Sequence, residues 1–226
     1  MTTYETCKKD VLAASLWLSE HGYFGSLRGS GGNVSMRRDK ESMVITPSSL
    51  SYQAMTAEDL FVLGLDLNVI QGKSALKPSM EAGMHSIIYR RRPDVQAIVH
   101  THQVYGSVFA LLDTPIPALF DEVAFSLGTA VEIIPYALSG SPELARNVET
   151  KLSNNANAYI IQNHGILALG KTLDKAILHA ELLEKVAHIY CLALSTGKSV
   201  TTLPDAIVQL VASMRAHEVN SAGARP

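Results

Sequence analysis

The amino-acid sequence predicts an α/β fold in which helices cover a central sheet. Segments with the apolar spacing of helices alternate along the chain with short segments rich in β-branched residues, which is the pattern of α/β proteins. The 226 residues suffice for one domain with a full core. The composition, 47% hydrophobic and 18% charged, is typical of a compact soluble globule. We therefore expect a single domain over residues 1–226.

The first half of the chain alternates between helices and strands. Gly22 is placed to end the first helix, and Pro78 with Glu81 suits the start of the second. The charged segment 38–41 is a turn between two strands, and the alternation of apolar and polar residues over 60–70 indicates one further strand. The expected elements are a helix at 5–22, strands at 34–37, 43–46 and 60–70, a helix from 78 to 91, and a strand at 96–102.

The second half continues this alternation. Ser141 with Pro142 indicates a helix start, Thr172 indicates another, and the turn 163–165 joins two apolar strands. The acidic pair at 121–122 is expected in a solvated loop. The expected elements are helices at 104–112, 141–152, 172–196 and 205–217, an extended piece at 116–119, strands at 131–134, 158–162 and 166–169, and a loose tail at 220–226.

The charge and the cysteine content argue against several classes of partner and of site. The net charge is −2 and no basic face or tail stands out, which argues against nucleic acid as a partner. Cys7 and Cys191 stand far apart in the sequence, so no disulfide framework or cysteine zinc site is indicated. No signal peptide or apolar run of membrane-spanning length is present, so we expect a cytoplasmic protein without membrane contact.

Two histidines separated by one residue are the most informative local feature. If 96–102 is a strand, His100 and His102 project from the same face, because side chains alternate along a strand. His164, in a turn between strands, is the natural third ligand. Three protein ligands with an open fourth position are typical of catalytic zinc. Zn²⁺ suits nitrogen ligands best, and Mn²⁺, Fe²⁺ and Co²⁺ are the alternatives.

Spacing alone leaves both a structural and a functional interpretation open for several other polar residues. Glu81 is explained by the helix N-terminus, or else is a carboxylate near the metal that acts as a general base. His85, four residues later, is better explained as a packed histidine. The glycine-rich segment 29–33 is a plain turn or an anion-binding nest. Thr46, Ser48 and Ser79 would add hydroxyl groups to such a nest if they converged there.

Several motifs, taken in order, resemble those of the class II aldolase/adducin family. They cover about residues 5–200, which leaves a C-terminal helix and tail over 203–226. The motifs are Gly31-Gly32-Asn33-Val34-Ser35, Ile45-Thr46-Pro47-Ser48, Lys77-Pro78-Ser79-Met80-Glu81, Arg92-Pro93-Asp94, Val99-His100-Thr101-His102 and Asn163-His164-Gly165.

This resemblance implies a three-layer α/β/α sandwich with a mainly antiparallel central sheet. It also implies a C4 homotetramer with the active site at subunit interfaces. By the same resemblance, Glu81 is the catalytic acid/base and a fourth metal ligand at rest. The residues matched to zinc binding are His100, His102 and His164, and those matched to the phosphate pocket are Gly32, Asn33, Thr46 and Ser79.

Four departures from the family pattern affect the expected substrate. Pro47 stands where the aldolases have a glycine, and Met80 stands where they have a serine. Asp121 stands where they have a tyrosine in the loop after the Ile-Pro-Ala stretch, and the last tyrosine here is Tyr190, so their tyrosine near the C-terminus is missing. We expect a zinc-dependent lyase that breaks a C–C bond through a metal-bound enediolate, by retro-aldol cleavage of a small hydroxy-ketone, sugar phosphate or keto acid. The alternative is a metal-dependent decarboxylase of a carboxylic acid. A non-catalytic adducin-like module is the third reading.

Overall fold

The structure is a computed structural model that describes residues 3–26 and 29–223. The hydroxyl groups of Thr3, Ser141 and Thr172 each accept a hydrogen bond from a backbone N–H in the first turn of the helix that follows, which fixes where three helices begin. The helices are α1 (Tyr4–Glu20), α2 (Ala82–Arg91), α3 (Val104–Leu112), α4 (Asp121–Leu127), α5 (Pro142–Lys151), α6 (Leu173–Ser195) and α7 (Asp205–Gly223).

The strands form one sheet in the order β4-β3-β2-β1-β5-β9-β8-β7-β6. Among the described residues every neighbouring pair is antiparallel except β7 with β8. The strands are β1 (Asn33–Arg37), β2 (Ser42–Ile45), β3 (Phe61–Gly64), β4 (Val69–Gln71), β5 (Ala97–Thr101), β6 (Ile116–Pro117), β7 (Ala130–Ile134), β8 (Ala158–Ile161) and β9 (Gly165–Gly170).

Helices cover both faces of this sheet. Apolar side chains of α2 and α5 pack on one face, and those of α1, α3, α4 and α6 pack on the other. Helix α7 lies outside, where Val211 packs against Ala118 and Ala124 beside α4. The prediction of a three-layer α/β/α architecture with a mainly antiparallel sheet is confirmed.

The predicted single strand at 60–70 is wrong, because the segment folds into two strands joined by a tight turn. Gly64 N–H donates to the Asn68 carbonyl, and Leu67 N–H donates back to the Gly64 carbonyl. The Asp66 carboxylate accepts from the Asn68 N–H at 3.1 Å, and Leu67 adopts a positive φ of 72°. Asp and Asn favour turns by this local bonding, so the alternation of apolar residues was misleading here.

Larger differences from the prediction occur at three other places. Residues 121–122 open helix α4, where their charge suits the helix N-terminus, and do not form a loop. Pro78 lies in an extended bridge opposite Pro47, so α2 begins later, at Ala82. Helix α7 continues to Gly223, so residues 220–223 are helical and not a loose tail. The last three residues of that predicted tail lie outside the described residues.

None of the described helices is long and apolar enough to cross a membrane.

Candidate metal centre

The sheet brings the three predicted histidines to one point. Strand β5 pairs with β9, so the turn that precedes β9 lies beside the end of β5 and carries His164 there. His100 belongs to β5, whereas His102 lies just beyond it, because the strand ends at Thr101 and not at 102 as predicted. The His102 N–H donates to the Tyr23 carbonyl at 2.8 Å, which fixes the backbone beyond the strand.

Four side chains meet at contact distance. The Nε2 atom of His100 lies 3.2 Å from that of His164 and 3.1 Å from that of His102. Glu81, at the N-terminus of α2, places Oε2 3.2 Å from His100 Nε2 and Oε1 3.1 Å from His164 Nε2. The structure therefore unites all four of the predicted ligand residues.

The turn that carries His164 depends on its two neighbours. Asn163 adopts a positive φ of 53°, which Asn tolerates better than most residues, and its N–H donates to the Ala110 carbonyl. A Cβ at Gly165 would lie 2.5 Å from His102 Cδ2 and 2.6 Å from the Thr101 carbonyl oxygen. Only glycine therefore allows β9 to begin this close to the histidine at the end of β5.

The glycine-rich segment 29–33 lies against the same histidines. A Cβ at Gly32, whose φ is +69°, would lie 2.5 Å from the His100 carbonyl oxygen. A Cβ at Gly31 would lie 3.0 Å from His102 Nδ1. The Tyr52 hydroxyl group donates to the carbonyl oxygens of both glycines, at 3.1 and 2.9 Å. Tyr52 thus fixes this segment, and no local sequence motif indicated that role.

The protonation of the histidines suits a cation. His100 donates from Nδ1 to the Ile166 carbonyl at 2.7 Å, which leaves the Nε2 lone pair free. Burial lowers the pKa of His100. Burial and the neighbouring imidazoles lower the pKa of His102 to about 3. Both rings are therefore neutral near pH 7, which is the form that binds a metal.

Glu81 is ionised in this environment. Burial alone would raise the pKa of Glu81, but His100, His164 and a hydrogen bond from Asn33 hold it well below its usual range. Asn33 Nδ2 donates to Glu81 Oε2 at 2.7 Å. The other oxygen, Oε1, is buried and has no hydrogen-bond donor among the described residues. A buried anionic oxygen without a donor is costly, and a cation at this point would compensate it.

The donor set fits a divalent metal. Ligand nitrogens about 2.0–2.1 Å from a tetrahedral zinc lie about 3.3 Å from one another, close to the two observed separations of Nε2 atoms. The ligand atoms of His100, His102 and His164 all lie within 4.8 Å of one another. Three imidazole nitrogens and one carboxylate are also accepted by Mn²⁺, Fe²⁺ and Co²⁺, so the geometry supports a metal without selecting the ion.

Two predicted substrate segments are paired beside Glu81. Ser79 N–H donates to the Thr46 carbonyl at 3.1 Å, and Ser48 N–H donates to the Lys77 carbonyl at 2.8 Å. The Glu81 N–H donates to Ser79 Oγ at 3.3 Å, which ties this pair to the metal centre. Gly32 and Asn33 lie against the centre directly, whereas Thr46 is joined to it only through Ser79.

Asp121 is not part of this cluster within one chain. It is exposed at the start of α4 and forms no hydrogen bond or ion pair with the metal-centre side chains of the described residues. A residue that the sequence analysis missed does approach: Ser139 Oγ lies 3.4 Å from His164 Nε2. The segment around Ser139 carries no motif, and only the tertiary fold brings it here.

Comparison with known proteins agrees with this geometry. The family model for the Class II Aldolase and Adducin N-terminal domain matches residues 9–191. The chain is 35% identical over 187 residues to the L-fuculose phosphate aldolase of Haemophilus influenzae, covering 83% of this chain and 84% of that protein. It is 37% identical over 175 residues to the 5-deoxy-D-ribulose 1-phosphate aldolase of Bacillus thuringiensis, covering 77% and 80%.

A solved structure supports the same assignment. An L-fuculose 1-phosphate aldolase superimposes with a TM-score of 0.82 and 34% identity, covering 92% of this chain and 95% of that one. These relatives are named as aldolases, which are carbon–carbon lyases. The chain therefore belongs to the Class II Aldolase and Adducin N-terminal domain family, and is a carbon–carbon lyase of the aldolase type.

Proposed function

We propose that the protein is a zinc-dependent lyase that cleaves a small hydroxy-carbonyl compound, most simply a sugar phosphate, by a retro-aldol reaction. The convergence of three Nε2 atoms with the Glu81 carboxylate is the observation that carries this proposal. The sugar-phosphate names of two aldolase relatives favour that substrate class. When bound, the metal supplies Lewis-acid polarisation of a substrate carbonyl.

Glu81 moves the proton. Its carboxylate is ionised and buried, so it accepts the proton of the substrate hydroxyl group as the C–C bond breaks and the bonding electron pair passes into the polarised carbonyl group. Glu81 then returns this proton to the carbon that lost the bond, which completes the cleavage. Asn33 holds Oε2 by a hydrogen bond, and Oε1, which lies 3.1 Å from His164 Nε2, is the oxygen proposed to take the proton. The same carboxylate is the fourth ligand in the absence of substrate.

Residues at the border of the centre bind the rest of the substrate. Gly32, Asn33, Thr46, Ser48 and Ser79 are the proposed substrate-binding set, supported by their position beside Glu81. Asp121 joins them only from a neighbouring subunit of a homotetramer. Several large apolar side chains on α3, on α4 and directly before α4 support an oligomer because they are exposed in the single chain: Val104, Leu111, Leu112, Phe120 and Phe125.

A metal-dependent decarboxylase is the second candidate. Met80 precedes Glu81, is 63% exposed and has no hydrogen-bond donor in its side chain, which favours a substrate without a phosphate dianion. A carboxylated substrate would use the same electron sink, with carbon dioxide as the departing group.

The complete ligand set disfavours a non-catalytic module. We place the enzyme in the cytoplasm and treat residues 1–226 as one domain.

One assay separates the candidates. The zinc-loaded protein is incubated with hydroxy-ketones, their phosphate esters and hydroxy-keto acids, while aldehyde and carbon dioxide are measured. Aldehyde from a phosphate ester supports the aldolase, and carbon dioxide from an acid supports the decarboxylase. Neither product from any compound, from a protein that holds stoichiometric zinc, would contradict both.

A further inference from the structure

A buried row of polar side chains joins helix α2 to strand β1 behind Glu81. We infer that Ser35, His85 and Tyr89 form a positioning unit that fixes the Glu81 carboxylate relative to the metal-binding histidines. This inference rests on the proposed function, because Glu81 needs positioning only if it serves the metal and the proton. We call these three residues the polar seam.

The contacts of the polar seam are possible because the spacing of side chains on the helix matches the spacing on the strand. Four residues of a helix rise about 6 Å, and two residues of a strand rise about 6.6 Å. Side chains four apart on α2 can therefore meet side chains two apart on β1, step by step. Glu81, His85 and Tyr89 are spaced by four, and Asn33 and Ser35 are spaced by two.

The contacts follow this spacing. Asn33 Nδ2 donates to Glu81 Oε2 at 2.7 Å. One step along, Ser35 Oγ lies 2.7 Å from His85 Nδ1 and 2.8 Å from the Tyr89 hydroxyl group. At the next step, the Arg37 guanidinium donates to the Tyr89 carbonyl. The helix is thus held to the strand by polar contacts at each of three successive levels.

Strand β1 is also the reference for the metal ligands. It pairs directly with β5, and Asn33 lies opposite His100 in that register. Any slide or rotation of α2 along β1 moves Glu81 relative to the imidazoles. Because Ser35 bonds His85 one step from Asn33, the seam resists that movement where it would change the metal distances.

Docking α2 through the buried polar seam costs more desolvation free energy than docking it through apolar side chains would. Ser35 and His85 are fully buried and Tyr89 is 1% exposed, and His85 Nε2 has no partner among the described residues. Apolar residues of similar volume at such sites are often neutral or stabilising. Packing alone therefore does not explain these polar side chains, and positioning of Glu81 does.

His85→Leu is the decisive variant. This substitution leaves Ser35 hydrogen-bonded to Tyr89 and removes the unpartnered Nε2 of His85. The melting temperature should therefore stay the same or rise. The zinc affinity, measured by competition with a chelating dye, should fall by about 10–100-fold, the range typical for outer-shell partners of a metal site. The visible spectrum of the Co²⁺-loaded protein should change, and kcat should fall more than KM rises.

Two further variants separate positioning from structure. His85→Asn keeps an amide near the position of Nδ1, so it should recover most of the zinc affinity and of kcat. Ser86→Ala removes another buried hydroxyl group of α2, one that donates to the Leu65 carbonyl away from β1, and should leave both quantities unchanged.

The inference is overturned if His85→Leu matches wild type in zinc affinity, cobalt spectrum and kcat. It is equally overturned if the losses merely follow a lower melting temperature, as a structural role requires. Wild-type protein that binds no zinc would instead contradict the proposed function. Wild-type protein that binds zinc but cleaves none of the tested compounds leaves the zinc and cobalt measurements as the test of the seam.

Discussion

At the scale of single residues, Asn33 gives the two oxygens of Glu81 different surroundings. Its amide donates to Oε2, while Oε1 stays without a donor and faces His164. A carboxylate free at both oxygens could rotate and exchange them. If Glu81 moves the proton as proposed, Oε1 is the oxygen left to take it, and the Asn33 hydrogen bond fixes the orientation of the carboxylate before substrate binds.

Glu81→Gln tests that role. The amide has nearly the shape of the carboxylate and can keep the Asn33 contact, but it cannot accept the proton. Turnover should fall by about 10²–10⁴-fold while most of the zinc remains bound. Steady-state kinetics and metal analysis on the same sample check both. Glu20→Gln, at an exposed site on α1, is the matched control; near-normal kcat in Glu81→Gln would remove Glu81 from the reaction.

The sequence was sufficient to predict the place of some of these residues in the site, but not of others. Strand geometry predicts that His100 and His102 share a face, and the structure brings their imidazoles together although His102 lies just beyond β5. Spacing alone favoured a helix-end role for Glu81, and only the family resemblance assigned it to the metal. The roles of Tyr52 and Ser35 depend on contacts with segments far along the chain, which no local pattern contains.

At the scale of elements, glycines allow the segments around the centre to approach closely. The start of β9, the end of β5 and the segment 29–33 meet where a Cβ would overlap a neighbouring atom. The segment 60–70, which divides into β3 and β4, shows that a polar side chain can also determine where a strand ends. There the Asp66 side chain formed a turn that the alternating apolar pattern did not reveal, because turn bonding is local and overrides periodicity.

Gly165→Ala should weaken both the fold and the site. The new Cβ would overlap His102 Cδ2 and the Thr101 carbonyl oxygen, and backbone atoms cannot move away easily. We expect a loss of about 1–3 kcal/mol in the free energy of unfolding and a lower zinc affinity. Urea unfolding and zinc titration measure these.

Gly83→Ala on α2 is the control for that substitution. Its Cβ would meet only Leu67 Cδ1, at 3.9 Å. Alanine lowers the entropy of the unfolded chain, so stability should rise by about 0.5 kcal/mol. If both substitutions changed stability in the same direction and by the same amount, the overlap at Gly165 would not be the cause.

At the scale of the whole molecule, one buried ion pair joins distant parts of the chain. Arg92, at the end of α2, donates two hydrogen bonds of 2.8 Å to Asp94. The same guanidinium donates to the Ala156 carbonyl and to Asn157 Oδ1, just before β8. The pair thus holds the helix that carries Glu81 to the far half of the sheet.

Asp94→Asn should be strongly destabilising. It leaves the buried Arg92 guanidinium without its counter-charge, and removal of one member of a buried pair costs about 3–5 kcal/mol. Urea unfolding monitored by circular dichroism checks the value. Glu122→Gln breaks the exposed pair with Lys185 and should change stability by less than about 1 kcal/mol. Equal effects of the two substitutions would contradict this reasoning.

Zinc should stabilise the folded protein. Binding only to the native state adds about 2.7 kcal/mol at a free concentration one hundred times the dissociation constant. Chelation should therefore lower the melting temperature, and Zn²⁺ should restore it. Mg²⁺ should not, because it prefers oxygen ligands. His102→Ala should abolish the response, whereas His217→Ala, exposed on α7, should keep it. A zinc-independent melting temperature in wild type would argue against the centre.

The pairing of β5 with β9 also sets when activity can arise during synthesis. His100 and His164 are 64 positions apart, and the pairing of β9 with β5 brings them together. A nascent chain on the ribosome holds two imidazoles long before it holds the third. The three imidazoles therefore come together only after most of the polypeptide has been made.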